Sequence, residues 1–207
     1  RLLQVSIGAT GPDVLLKDTL GTLTPLSKLL VGHKYGALFF YSSTCDHCHA
    51  QMPGMNRLYA EFHSQGLEVL GVALDDDRAD FRPNILQRGL KFPCFSEFNG
   101  WGDQAAKAYE VKATPTLILL DGQLRIVAKP YDAQALEEEL RKLYQQHQIE
   151  YREQVEAEER RLAQDTAQLK QRREQAQADQ ARETALQRDA LAAAMLKNIN
   201  SGHPLTK

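Results

Sequence analysis

The sequence predicts an α/β domain, a sheet carrying helices on its faces, followed by a long C-terminal helix. Three observations predict it. Up to Pro130, apolar runs rich in branched and aromatic residues alternate with helical patterns. Twelve of the 13 glycines and seven of the 8 prolines lie at or before Pro130, and neither residue recurs until Gly202. From Ala133 onward the chain is mainly Ala, Gln, Glu, Leu and Arg, all tolerable or good helix formers. The expected organisation is therefore a first domain over residues 1–146, a helical extension over 147–200 and a tail over 201–207.

In chain order, Val14 to Lys17 and Thr22 to Thr24 flank Gly21 and predict a small N-terminal β-hairpin. Five main strands follow, at Ala37 to Tyr41, Glu68 to Leu74, Phe92 to Phe95, Thr116 to Leu120 and Leu124 to Ala128. Pro93 has no N–H to give to a ladder, which places the third of these at an edge. Asp121-Gly122 is a hairpin-turn signal between the last two. Helices are expected near Asp46 to Ser64, Asp77 to Arg88 and Asp103 to Tyr109. The long helix has Asp132 as its N-cap. Leu136, Leu140 and Leu143 give its first turns an apolar stripe that can pack on the sheet. Further along, Val155, Leu162, Leu169 and Ala176 recur every seven residues, but the positions three or four along are mostly charged or Gln, so only half of a coiled-coil seam is present.

The 207 residues are 43% hydrophobic, enough for one ordinary domain with its own core plus a polar addition. The formal net charge of -2, from 25 basic and 27 acidic residues, argues against a nucleic-acid surface. No apolar run approaches the roughly 20 residues that span a bilayer. Because the chain begins at Arg1, removal of a targeting segment is compatible with the sequence.

Two of the three cysteines stand as Cys45-Asp46-His47-Cys48, a spacing that suits redox chemistry or metal binding. Cys45 follows a strand and Cys48 falls in the first turn of the next helix. The free N–H groups and positive dipole end of a helix stabilise a thiolate, so Cys45 is expected to be the exposed nucleophile and Cys48 the resolving thiol. A purely structural staple is a poor account, since closing a loop of about four residues supplies only roughly 2 kcal/mol. With His49 the segment also satisfies the five-residue pattern for covalent c-type haem, but the flanking strands and helix already explain it. For zinc, no second ligand pair stands at finger-like spacing to His47 and His49, and Cys94 does not complete one. Neither a metal nor a cofactor is expected.

Together with Ile7-Gly8, Pro12-Asp13, Asp18 and Gly21 near the start, Pro53 five residues after Cys48, and Ala113-Thr114-Pro115-Thr116 ahead of a hairpin, this dithiol segment is specific. Over residues 7 to 145 the sequence resembles the thioredoxin superfamily, in particular the extracytoplasmic TlpA/ResA-like thiol-disulfide oxidoreductases, including those common in Bacteroidetes. The resemblance implies a thioredoxin-like fold with a central mixed sheet. It implies a cis peptide bond before Pro115 and a peptide-docking groove at Cys45, Thr114 and Pro115, where the Thr114 backbone pairs with a substrate strand. Pro53 reads as a helix kink.

Departures from the family pattern bear on mechanism. Thioredoxins carry a buried Asp where this chain has Phe39, and many TlpA/ResA-like proteins place Glu where Gln51 stands. No carboxylate base is left in view, so proton transfer to and from Cys48 falls to water, His47 or another group. Asp46 and His47 are expected to tune the dithiol in opposite directions, the cation lowering and the anion raising a thiol pKa. A peroxiredoxin is disfavoured, because Leu38 and Ser42 stand where that family has Pro and Thr. Cys94 reads as a small buried apolar residue, and Asp75-Asp76-Asp77 as a solvated loop and helix cap.

The expected function is disulfide exchange with protein substrates through Cys45 and Cys48, with protein thiols or disulfides and an upstream redox partner as partners. The rival is a redox-degenerate interaction module whose long helix dimerises or recruits a partner. The resemblance implies the periplasm or the outer face of a bacterial membrane.

Overall fold

The structure, a computed structural model, describes residues 5–200; the expected tail over 201–207 lies outside them. The chain divides into two units, Arg1–Gln145 and Gln146–Lys207.

The first unit opens with the antiparallel hairpin β1 (Leu15–Lys17) and β2 (Leu23–Pro25). Asp18 shapes its turn, accepting from the N–H groups of Leu20 and Thr22 at 2.8 Å each. A four-residue helix that periodicity does not reveal, α1 (Leu26–Leu29), comes next. Its start is held from 14 residues upstream, where Asp13 accepts from Ser27 N–H at 2.9 Å and from Ser27 Oγ at 2.6 Å.

The main sheet is built from β3 (Tyr35–Tyr41), β4 (Leu67–Ala73), β5 (Cys94–Phe95), β6 (Thr116–Asp121) and β7 (Ile126–Ala128), in the order β5-β4-β3-β6-β7. The pairs β3–β4 and β4–β5 are parallel, while β3–β6 and β6–β7 are antiparallel. This is the mixed sheet that the resemblance implied. All seven residues of both β3 and β4 are buried, as strands covered on both faces must be. β5 is an edge, and Pro93 stands just before its two residues.

The pleat sorts side chains into two cores. Phe39, Val69 and Leu117 face α2 (Asp46–Phe62) and the first turns of α5 (Ala133–Asn200), meeting Met52, Met55, Leu58, Leu136 and Leu140. Leu38, Phe40, Leu70, Val72 and Ile118 face the other way, toward Leu16, Leu26 and Tyr109. The helices α3 (Arg78–Arg88) and α4 (Gln104–Ala108) complete the layers. Asp77, Asp103 and Asp132 each accept an N–H at the starts of α3, α4 and α5.

The expected hairpin is present, with β6 and β7 antiparallel across the Asp121-Gly122 turn. Within it Gly122 is not at positive φ, and Leu124, which is buried, takes the left-handed conformation at 62°. Asp121 folds the loop, accepting from the N–H groups of Gln123 and Arg125 at 2.9 Å each. One local expectation is corrected: the Asp75-Asp76-Asp77 run is not solvated throughout, because Asp75 is buried.

α5 (Ala133–Asn200) enters the second unit, whose described residues are helical throughout. There Val155, Leu162 and Leu169 are exposed. Among the described residues no helix is long and apolar enough to cross a membrane.

Candidate active site

Parallel β3 and β4 send their C-terminal ends to the same edge of the sheet, and the dithiol sits there. β3 stops at Tyr41, the loop Ser42 to Thr44 follows, and Cys45 is the N-cap of α2. The Cys45 Sγ accepts from the backbone N–H of Cys48 at 3.2 Å, so the sulfur occupies the place of a capping oxygen at the positive end of a 17-residue helix. A negative sulfur is favoured there over a neutral one. Cys45 and Cys48 form a disulfide with their Cα atoms 5.2 Å apart, ordinary for such a bridge.

The two cysteines differ in access. Cys48 is fully buried beneath the helix start, whereas Cys45 is half-buried. Opposite it, the Cys45 Sγ lies 3.7 Å from the carbonyl oxygen of Thr114. The Thr114–Pro115 peptide is cis, as the resemblance implied. Thr114 and Pro115 are half-buried, so Cys45, Thr114 and Pro115 share one accessible surface. Asp46 and His47, on the first turn of α2, are exposed.

The loop that presents Cys45 is fixed by residues that periodicity does not mark. Asp75, just past β4, accepts from Ser43 N–H at 2.8 Å and from Ser42 Oγ at 3.0 Å. The carbonyl oxygen of Ser43 accepts from His49 Nε2 at 2.8 Å and from Asn84 Nδ2 at 3.2 Å. With Nε2 donating, Nδ1 of His49 is the acceptor for Arg88 Nη2 at 2.9 Å. Both ring nitrogens of His49 are thus engaged by the protein, which ties the first turn of α2 to the Ser43 loop and to α3. The sequence signal was the four-residue step from Cys45 to His49, one turn along the same helix face.

Where thioredoxins bury a carboxylate, Phe39 is fully buried, stacked on Tyr41 with ring centroids 5.3 Å apart and edge-on to Phe92 at 6.3 Å. Gln51 is spent on structure: its Oε1 accepts from the backbone N–H of Ala133 at 2.8 Å, at the start of α5. Cys94 lies in the core, where burial pushes its thiol up to about 12. Burial and the neighbouring Cys94 push the Tyr41 phenol far above its usual range.

The model of the AhpC/TSA family matches residues 7–129, more than half of the chain and the whole stretch that carries the dithiol and the cis proline. The chain belongs to that family. Among its relatives, the thiol-disulfide oxidoreductase ResA of Geobacillus kaustophilus is 33% identical over 117 residues, covering 56% of this chain and 64% of that protein. ResA of Bacillus thuringiensis subsp. konkukian is 30% identical over 145 residues, covering 68% of this chain and 80% of the relative. The chain thus spans under two thirds of the length of the first relative and four fifths of the second. A solved thiol-disulfide oxidoreductase from Bacteroides fragilis superposes with a TM-score of 0.57 at 27% identity, over 65% of this chain and 98% of the other. The thioredoxin domain of a thiol-disulfide oxidoreductase from Bacteroides vulgatus reaches 0.61 at 22% identity, over 67% and 97% of the two chains, a likeness of fold. Within the family the chain is TlpA/ResA-like, as its motifs implied.

Proposed function

We propose that this chain is a thiol-disulfide oxidoreductase that exchanges disulfides with protein substrates through Cys45 and Cys48. The observation that carries the reading is a half-buried Cys45 whose sulfur caps a helix 3.7 Å from the Thr114 carbonyl, with the fully buried Cys48 behind it. In the reducing direction the Cys45 thiolate attacks one sulfur of a substrate disulfide. A mixed disulfide forms and the other substrate sulfur leaves as a thiolate. Cys48 then loses its proton and attacks Cys45 Sγ, which releases the second substrate sulfur and closes the Cys45–Cys48 bridge. An upstream dithiol partner reopens that bridge by the same chemistry run on Cys45.

Thr114 and Pro115 form the docking edge, with the Thr114 backbone pairing to the substrate strand. Asp46 and His47, exposed beside the nucleophile, tune its acidity with opposite signs. With Phe39 and Gln51 in place of carboxylates, the proton of Cys48 passes to water, to His47 or to another group. The sheet domain is residues 1–146 and the extension 147–200; its exposed Val155, Leu162 and Leu169 support a homodimer through the helix. The site of action is extracytoplasmic, on the strength of the family.

The test is insulin reduction together with trapping of mixed disulfides. Cys45→Ser abolishes turnover, and Cys48→Ser accumulates trapped complexes because the resolving attack is lost. Undiminished activity in both variants ends the proposal. For the helix, sedimentation of residues 1–146 beside the full chain decides: equal assembly states in both redox forms remove the dimer.

A further inference from the structure

At the end of the sheet away from the dithiol, three segments converge. His33 lies in the loop before β3, His63 opens the 3-10 turn His63–Gln65 after α2, and Glu68 is the second residue of β4. Gly66, at φ 106°, turns the chain between the last two. Its carbonyl accepts from the N–H groups of Lys34 and Tyr35 at 2.8 and 3.1 Å, which clamps the His33 loop against the His63 turn. The β3–β4 register then sets Glu68 opposite Gly36.

We propose that His33, His63 and Glu68 form a binding site for a divalent transition-metal ion of the zinc class. Each offers one ligand atom, and these atoms all lie within 4.8 Å of one another. The Glu68 Oε2 is 3.5 Å from His33 Nε2 and 3.9 Å from His63 Nδ1. Both separations exceed an ordinary hydrogen bond. They are close to the roughly 3.3 Å that separates two ligands each about 2.0–2.1 Å from a tetrahedral ion. Small side-chain rotations close the difference.

The cluster is poorly satisfied by the protein alone. Among the described residues His33 Nδ1 is buried without a partner, and Glu68, only 8% exposed, has Oε1 on the Val69 N–H at 3.0 Å while Oε2 faces the two imidazoles. His63 Nδ1 now contacts the Leu67 carbonyl at 3.0 Å. Ligation through Nδ1, the atom 3.9 Å from Glu68 Oε2, exchanges that contact for the ion. Two imidazoles and a carboxylate suit zinc with a water in the fourth position. The half-exposed His63 leaves a side open for that water and for entry of the ion. No pairwise spacing announces the site, since its residues come from three separate segments. It is also independent of the redox chemistry, being built from none of the same residues.

Titration calorimetry of the full chain with Zn2+ tests it, with Cys45 and Cys48 oxidised so that their thiolates do not compete. One ion per chain is expected, and His63→Gln and Glu68→Gln each weaken binding at least tenfold. His63 is half-exposed, so His63→Gln keeps the fold and decides the matter if the Glu68 variant does not. Co2+ gives a second reading, with the visible bands of a four-coordinate ion that His63→Gln abolishes. An absence of binding, or binding that neither variant weakens, overturns the proposal.

Discussion

Gln51 Oε1 accepts the backbone N–H of Ala133 at 2.8 Å, so the helix that begins with the dithiol also caps the helix that closes the domain. The first N–H groups of a helix have no partner within it, and Gln51 supplies one alongside Asp132, which accepts from Ala135 at 2.7 Å. Gln51→Ala therefore destabilises the fold by about 1 kcal/mol. A urea midpoint below that of the wild type, with an unchanged slope, is the expected result.

Asp75 is a positioning residue for the Cys45 loop. Asp75→Ala strips the acceptor from Ser43 N–H and Ser42 Oγ, at a cost of about 1–3 kcal/mol, and slows insulin reduction by loosening the loop. Asp75→Asn keeps an oxygen in place and restores most of the rate. Equal rates in Asp75→Ala and wild type would show that the loop holds its shape without it.

Burial makes Cys94 a pH-dependent contributor to stability. Its folded-state value of about 12 lies above the ordinary 9.0, so the folded protein retains a proton that the unfolded chain gives up. The stabilisation is complete below about pH 9 and is lost as pH rises through 12. Melting temperatures across that range should fall more steeply for wild type than for Cys94→Ala. Parallel curves would contradict the shift.

Just past the Tyr109 cap of α4, Glu110 lies in the left-handed region at φ 55°, while Val111 N–H returns to Ala106 O at 2.8 Å and Glu110 N–H to Lys107 O at 3.1 Å. That conformation suits glycine, and the Glu110 side chain is exposed, with no packing to lose. Glu110→Gly is expected to stabilise by about 0.5–1 kcal/mol, roughly 2 °C in melting temperature.

The strands and the dithiol were legible because their signals are local. The apolar runs of β3 and of β4 after Glu68, the edge placement at Pro93 and the step from Cys45 to Cys48 each follow from adjacent residues. Helix α1 was not legible, since four residues show no period and its start depends on Asp13 across 14 positions. Asp75 was misplaced for the same kind of reason. Three consecutive aspartates look alike in sequence, and only the fold decides that Asp75 turns inward to Ser43 while Asp77 caps α3. In the β6–β7 loop, Asp121-Gly122 marked the hairpin, but not that Leu124 would be the buried residue held at positive φ.

The unequal exposure of the two cysteines gives the exchange a built-in clock. On the proposed function a client joins at Cys45, and the attack that frees it comes from Cys48, already enclosed beside it. The residence time of a tethered client is then a first-order property of this chain, and raising client concentration shortens the wait for capture without hastening release.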